Sequence, residues 1–91
     1  MKYLKLEKTT KGFSNHWRIK ILELLDKKPN LSLFNIVDHL EMNLKTASVH
    51  VKRLFDAGLI EKKYVGNNQN HNLSQKGKSI LTFLRKLDKN L

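Results

Sequence analysis

The chain has 91 residues, of which 40% are hydrophobic, and a formal net charge of +10. This length allows one domain with a thin core, the lack of cysteine excludes disulfides and thiolate metal sites, and no stretch approaches the ~20 apolar residues of a membrane span, so a cytoplasmic location is expected. The excess of Lys and Arg favours a polyanionic partner, nucleic acid before an anionic membrane surface.

The first predicted helix follows a basic N-terminal segment. Residues 1–13 are polar and basic, and we expect an arm or short lead-in element ahead of a domain that spans residues 14–91. Ser14 or Asn15 can cap a helix, because a short side-chain oxygen accepts hydrogen bonds from the free N–H groups of the first turn. Apolar residues then recur at helical spacing: Trp17, Ile21, Leu22, Leu24 and Leu25. Pro29-Asn30 ends this helix.

Two closely spaced helices are predicted next. Leu31 can pair in a short strand, and Ser32 caps a short helix whose apolar stripe is Leu33, Ile36, Val37 and Leu40. After the tight connection Glu41-Met42-Asn43, Asn43 caps a third helix that runs to about Ala57. Its predicted buried face is Ala47, Val51, Leu54 and Phe55. Gly58 can end it in a left-handed conformation.

A hairpin and a last helix complete the pattern. Leu59–Val65 is predicted as a strand, Gly66–Asn70 as a turn cluster and His71–Leu73 as the returning strand. Ser74 caps a final helix that carries Ile80, Leu81, Leu84 and Leu87 on one side.

This order of elements predicts a mainly α fold with a small β-hairpin. It is a winged helix-turn-helix, with a three-helical core, a wing and a C-terminal helix. The three-residue connection makes its two flanking helices cross steeply, and this crossing leaves the outer face of the second helix free to enter a DNA groove.

Three segments also resemble known regulator families. Arg18–Leu25 resembles the first-helix signature of the arsenical-resistance regulator (ArsR) family, and Ala47–Leu54 with Asp56–Ile60 is similar to that family's recognition helix and its exit into the wing. Leu73–Lys78 looks like the start of the post-wing helix of the multiple-antibiotic-resistance regulator (MarR) family. The resemblance implies a homodimeric, sequence-specific repressor or activator with terminal helices at the dimer interface.

Two features depart from these families. Metal-sensing ArsR members carry cysteines before the recognition helix, and the matching positions here are Ser32, Phe34 and Val37, so that sensor site is absent. Many MarR members carry an Asp and an Arg at the wing tip, where this chain has Asn68, Gln69 and Asn70 and no arginine for the minor groove.

The exposed side of the third helix is the predicted DNA-reading surface. The residues expected to enter the major groove or to start this helix are Asn43, Leu44, Lys45, Ser48, Val49 and Lys52. Thr46 and Arg53 flank this face and are expected at phosphates. In the wing, the candidates for the DNA backbone or minor groove are Lys62, Lys63, Asn67, Asn68, Gln69 and Asn70. Surface lysines and amides are also ordinary features of solvated helices and turns.

Dimerisation is expected to use the outer helices. Apolar residues beyond the needs of one small core are Trp17, Leu24, Phe83, Leu87 and Leu91. Trp17 and Phe83 could instead pack within the monomer. A two-fold dimer would place two recognition helices ~34–36 Å apart, about one DNA turn.

No catalytic or cofactor motif is evident. The four histidines, His16, His39, His50 and His71, lack a metal-ligand spacing, so no metal is expected, and a structural hydrogen bond is favoured for His50. No nucleophile–base pair or phosphate-binding glycine loop is present, so we expect no cofactor and no enzymatic activity.

Two other functions compete with duplex DNA binding. A winged helix can dock proteins within a larger assembly, but such a surface should be more apolar at its centre, where only Leu44 and Val49 qualify here. RNA binding is weaker still, since no exposed aromatic cluster suggests base stacking.

Overall fold

Five α-helices and a three-stranded antiparallel sheet make up the computed structural model, which describes residues 1–91. In chain order the elements are α1 (Tyr3–Phe13), α2 (His16–Lys27), β1 (Leu31–Ser32), α3 (Leu33–Leu40), α4 (Leu44–Asp56), β2 (Ile60–Val65), β3 (Asn68–Leu73) and α5 (Gln75–Asp88). The predicted mainly α winged helix-turn-helix is confirmed. None of the five helices combines the length and the apolar character of a membrane span.

Short polar side chains begin four of the five helices. Their caps are Asn15 for α2, Ser32 for α3, Asn43 for α4 and Ser74 for α5. Ser32 and Asn35 form a reciprocal capping box, in which the Ser32 hydroxyl accepts from the Asn35 N–H at 3.1 Å. Each cap satisfies N–H groups that a helix leaves free, which is worth about 1 kcal/mol.

The core lies where α2, α3, α4 and the sheet meet. Ile21 and Leu22 of α2, Ile36 of α3 and Leu54 of α4 are fully buried. The predicted burial of Phe55 is wrong, because its side chain is 41% exposed. One residue beyond Leu54 is a turn of ~100° around the helix, and this rotation carries Phe55 out of the core.

A tight connection joins α3 to α4. Glu41 adopts a left-handed conformation with φ of 53°, and the next residue, Met42, is 8% exposed and buried in the core. The Met42 N–H donates to the Val37 carbonyl at 3.1 Å. This geometry ends α3 abruptly. It leaves the side of α4 that is opposite its own buried residues outside the core.

The hairpin turn is shorter than predicted. β2 and β3 pair from Ile60↔Leu73 to Val65↔Asn68, so the turn contains only Gly66 and Asn67. The prediction of a turn over Gly66–Asn70 is therefore wrong, since Asn68, Gln69 and Asn70 belong to β3. Gly66 has φ of 64°, and a glycine with positive φ at the first turn position allows a two-residue hairpin. We call β2, β3 and this turn the wing.

Residues 3–13 form a helix ahead of the predicted domain. α1 packs through Gly12 against Ala57, so closely that a Cβ atom at Gly12 would overlap the Ala57 methyl group. The N-terminal half of α1 projects away, leaving Tyr3 73% and Leu4 81% exposed. Helix α1 is therefore held at its C-terminal end by a tertiary contact.

Candidate nucleic-acid interface

The outer face of α4 is exposed, with its predicted residues on one side of the helix. The core side is defined by Ala47, Val51 and Leu54. The side away from it carries the residues predicted to enter a groove, which we call the outer face: Leu44, Lys45, Ser48, Val49 and Lys52. All five are exposed, with Leu44 at 43% and Val49 at 49%. The chain thus presents two cations, a hydroxyl and two apolar side chains to solvent.

A groove separates α4 from the wing. It has a volume of about 440 Å³ and is bordered by β1, the start of α3, α4 and the hairpin. The predicted DNA-binding residues that line it are Ser48, Lys52, Lys62, Asn67, Asn68 and Gln69. The fold therefore brings the helix and wing candidates together, although they are up to 21 residues apart in sequence.

Because successive side chains of a strand point to opposite faces, the two lysines of β2 lie on opposite faces of the wing. Lys62 turns toward α4, where its Nζ lies 4.3 Å from the centre of the Phe55 ring. A cation over an aromatic face is stabilised by the ring quadrupole, so Phe55 holds Lys62 beside the groove. Lys63 lies on the other face and pairs across the strands with Asn70. Lys63 and Asn70 do not line the groove.

Lys52 is paired within the chain. Its Nζ lies 2.9 Å from Oδ2 of Asp56, one helical turn further along α4, and both side chains are largely exposed. The hydrogen bond from Lys52 lowers the pKa of Asp56, and the charges of Lys52, Lys62 and Lys8 lower it further, against a smaller opposing effect of burial. A carboxylate that is absent from the predicted set of residues therefore lies beside the outer face.

Asn43 caps the start of α4. Its Oδ1 accepts from the N–H groups of Lys45 and Thr46 at 2.9 and 3.2 Å. The side-chain amide nitrogen is the part of Asn43 that stays free for a ligand. Thr46 and Arg53 are exposed on the flank of α4 away from the wing.

A buried arginine lies behind that flank. Arg18 of α2 is 8% exposed, and its Nη1 lies 3.0 Å from Nδ1 of His50 on α4. Burial lowers the pKa of Arg18, and the charge of Arg53 lowers it further. A structural role for His50 could be predicted from the sequence but its partner could not, because the two residues are 32 positions apart and apolar periodicity does not reveal a buried cation.

The residues predicted for the dimer interface fall into two groups. Trp17 and Leu24 are half-buried against the core. Phe83, Leu87 and Leu91 are 54%, 45% and 95% exposed along and beyond α5. The exposed Tyr3 and Leu4 of α1 add apolar surface that the sequence analysis did not include, because residues 1–13 gave no clear apolar period.

Acidic and histidine side chains do not gather into a metal site. No group of three or more His, Asp or Glu residues is placed so that it could hold an ion.

Comparison with known proteins agrees with the fold. Residues 15–61 match the sequence model of a family described as winged helix-turn-helix DNA-binding. An uncharacterized HTH-type transcriptional regulator of Methanocaldococcus jannaschii is 32% identical over 65 residues, which are 71% of this chain and 67% of that protein.

Solved structures extend the similarity over nearly the whole chain. The homodimeric winged helix-turn-helix DNA-binding domain of a possible ArsR-family transcriptional regulator from Mycobacterium bovis superposes with a TM-score of 0.80 at 26% identity, covering 94% of this chain and 79% of that one. A MarR family transcription regulator has a TM-score of 0.80 at 21% identity over 97% of this chain and 60% of its own. HlyU from Vibrio cholerae has a TM-score of 0.79 at 24% identity, over 96% and 97% of the two chains.

The last two structures support the fold alone, and the resemblance to ArsR and MarR regulators is confirmed at that level. With its family match over residues 15–61 and its wing beside α4, the chain belongs to the winged helix-turn-helix DNA-binding family.

Proposed function

We propose that the chain is a transcriptional regulator that binds duplex DNA as a homodimer, with α4 as its recognition helix in the major groove. The observation that carries this proposal is the exposed, lysine-bearing outer face of α4, which stands across a groove from a basic wing. A major groove about 12 Å wide admits an α-helix, and α4 is the helix whose exposed side adjoins the wing.

The chemistry of the outer face suits base edges. Lys45 and Lys52 can donate to the guanine acceptors O6 and N7, and Ser48 can donate or accept. Leu44 and Val49 can contact a thymine methyl group. Thr46 and Arg53 on the flank are suited to phosphates, which fix the register of a protein on DNA without reading its sequence.

The wing adds contacts to the sugar–phosphate backbone. Lys62 lies at the groove, and Lys63 on the other face is free to reach a second phosphate. The amides of Asn67, Asn68 and Gln69 border the groove and can donate to the backbone or the minor-groove edge. Asn70, which lies further along β3, would contribute less.

Dimerisation would follow from the uncovered apolar residues of α5. Phe83, Leu87 and Leu91 can bury their exposed surface against a second copy, and the half-buried Trp17 and Leu24 of α2 would contribute less. The Mycobacterium bovis domain, at 26% identity, is homodimeric. Two recognition helices related by a two-fold axis would read a palindromic site.

We further propose that the dimer is not catalytic and acts as a repressor. No catalytic constellation accompanies the interface, and a bound dimer obstructs transcription simply by occupying the operator.

Selection of bound duplexes from a random pool, followed by sequencing, tests this function. A palindromic enriched site is expected, with affinity that falls steeply with salt because each neutralised phosphate releases counterions. Replacing Lys45 by Ala should weaken binding by an amount of order 1–3 kcal/mol if it reads a base. Lys86→Ala on α5 makes the same charge change away from the proposed DNA interface and should have little effect on DNA binding. Failure of the chain to bind any duplex at low salt would refute the proposal.

A further inference from the structure

His50 lies between two flank residues that the sequence analysis assigned to phosphates. Thr46, His50 and Arg53 are spaced i, i+4 and i+7 on α4, so they form one stripe along the helix. This stripe faces the start of α2, as the contact of His50 with Arg18 shows. It is therefore on the side of α4 opposite the wing, where the second DNA strand of a major groove would run.

Arg18 behind this stripe has no acidic partner. Its Nη2 donates to the Lys11 carbonyl at 3.2 Å, its Nη1 contacts His50, and its buried Nε has no hydrogen-bond partner. The three ion pairs of the chain belong to Lys11, Lys52 and Arg85. A buried cation without a counterion is costly, and an anion nearby would offset part of that cost.

The arginine determines which nitrogen of His50 carries the proton. A guanidinium group only donates hydrogen bonds, so Nδ1 of His50 must accept from Nη1. The ring proton then sits on Nε2. This Nε2 atom has no partner within the chain and is not fully buried, so it is an unpaired N–H donor that a ligand can reach.

The surroundings of this donor are cationic. Burial lowers the pKa of His50, and the charges of Arg18, Arg53 and His16 lower it further, so the ring is neutral at neutral pH. The N-terminal end of α2, which starts at His16, adds the positive end of a helix dipole. The site thus offers donors and positive potential, and the carboxylate that borders Arg53, that of Asp56, is paired with Lys52.

We propose that the outward Nε2–H of His50 and the guanidinium of Arg53 together bind a backbone phosphate of duplex DNA, and that Arg18 is a positioning residue that holds the His50 ring in the donating tautomer. This inference rests on the proposed function and deepens it, because it adds a phosphate contact on the side of α4 away from the wing. The same donors could accept inorganic phosphate, so the test must separate a free anion from DNA.

Two substitutions of His50 distinguish the role of Nδ1 from the role of Nε2. His50→Asn places a polar atom near the position of Nδ1, so it can still accept from Arg18, but it has no group at the position of Nε2. His50→Gln reaches the Nε2 position and can still donate. We expect His50→Asn to weaken binding to every duplex sequence about tenfold, and His50→Gln to retain most of the affinity.

The salt dependence separates His50 from its charged neighbour. His50→Asn removes a neutral donor, so the slope of log K against log salt should stay unchanged. Arg53→Gln removes a charge at a phosphate and should reduce the slope by about 1. Thermal unfolding of each variant establishes that it is folded. Equal duplex affinity of folded His50→Asn and the unsubstituted chain would overturn the inference while leaving the proposed function standing.

Nitrogen NMR of the histidine rings tests the geometry without any substitution at the phosphate contact. In the free protein, His50 should show a protonated Nε2 and an unprotonated Nδ1, and Arg18→Met should mix the two tautomers. Titration with a random duplex of ~20 base pairs, about two turns, should shift the Nε2 signal. A duplex that binds without moving this signal would overturn the inference, as would an equal shift with inorganic phosphate alone at matched phosphate concentration.

Discussion

Asp56 is the one acidic residue of α4, and it lies at the proposed DNA interface. Its carboxylate, whose pKa is lowered chiefly by Lys52, is ionised at neutral pH and holds the Lys52 ammonium 2.9 Å away. An approaching phosphate competes with this carboxylate for Lys52 and is repelled by it. At the proposed interface we therefore expect Asp56 to oppose binding by charge alone, so that affinity would depend more on contacts with the correct bases.

We predict that Asp56→Asn strengthens binding to random duplex DNA about fivefold, because the substitution removes a negative charge that repels the phosphates and competes with them for Lys52. Fluorescence anisotropy at one fixed salt concentration measures this change. Asp88→Asn on α5 makes the same charge change away from the interface and should have a much smaller effect. Unchanged or weaker binding by Asp56→Asn would contradict this role.

Two partly or fully buried histidines make stability depend on pH. His71 is 2% exposed and donates through Nδ1 to the Leu31 carbonyl at 2.9 Å. Burial lowers its pKa, a shift that this hydrogen bond opposes and the charge of Lys62 assists. The pKa of His50 is lowered as well, first by burial. Both rings are therefore harder to protonate in the folded chain than in the unfolded chain.

We predict that the free energy of unfolding is insensitive to these two histidines above their ordinary pKa of 6.5 and falls as pH drops below it. In that window the unfolded chain binds protons that the folded chain does not, and this difference favours unfolding. Urea unfolding on either side of 6.5 measures the slope. His71→Asn removes one titrating ring and should reduce the slope of the free energy of unfolding against pH. A stability that rises on acidification would contradict the prediction.

At the scale of elements, the contact of α5 with the joint between α4 and the wing depends on Gly77. A Cβ atom at Gly77 would overlap the Leu59 carbonyl oxygen, which also accepts from the Ser74 N–H at 3.1 Å. Leu59 lies between the end of α4 and the start of β2. Any shift of α5 at this point would therefore move the wing.

We predict that Gly77→Ala destabilises the fold by about 3 kcal/mol, at the upper end of the costs of overpacking. Gly66→Ala is the control: its Cβ meets nothing within 4 Å, so only the left-handed backbone is strained, at about 1–2 kcal/mol. Urea unfolding of both variants gives the comparison. A smaller loss for Gly77→Ala than for Gly66→Ala would show that α5 can move away from Leu59 at little cost.

The elements that could be predicted from sequence are those that local chemistry determines. Asn15, Ser32, Asn43 and Ser74 each start a helix because their side chains act within three residues. Helix α1 was not identified, since it is held by the tertiary contact of Gly12 with Ala57. The amides of Asn68–Asn70 are typical of turns, yet they pair with β2 once Gly66 closes the hairpin in two residues.

The candidate site, like the fold, could be predicted from the sequence only in part. The helical period of α4 predicts its outer face, because burial of Ala47, Val51 and Leu54 determines which side is left. The period does not reveal that Asp56 holds Lys52, that Phe55 lies under Lys62, or that Arg18 reaches His50 across the fold. These are pairings between side chains, and they depend on rotamers and tertiary packing that a one-dimensional pattern does not contain.

At the scale of the whole molecule, the exposed apolar residues lie in more than one region. The basic outer face of α4 and the wing occupy one region, which also exposes Leu44, Val49, Tyr64 and Val65, and a second group of exposed apolar residues follows α5 and the start of α1. A groove between α2 and α5, of about 370 Å³, is lined by Ile19, Leu81, Leu84, Leu87 and Leu91 among others. Self-association through these helices would leave both DNA-binding faces free, so the two surfaces can act together.

We predict that the double variant Phe83→Glu with Leu87→Glu is a folded monomer, because two carboxylates would have to be buried at the proposed interface. Sedimentation equilibrium measures the oligomeric state, with Phe34→Glu, 67% exposed outside both terminal helices, as the control that should stay dimeric. The monomer should bind the selected palindrome about 10²–10⁴-fold more weakly than the dimer, since the second half-site no longer adds its effective concentration. Its affinity for a single half-site should be unchanged. A double variant that stays dimeric would contradict the proposed role of α5 in dimerisation. A monomer that binds the palindrome as tightly as the unsubstituted chain would show that dimerisation through α5 does not contribute to DNA recognition.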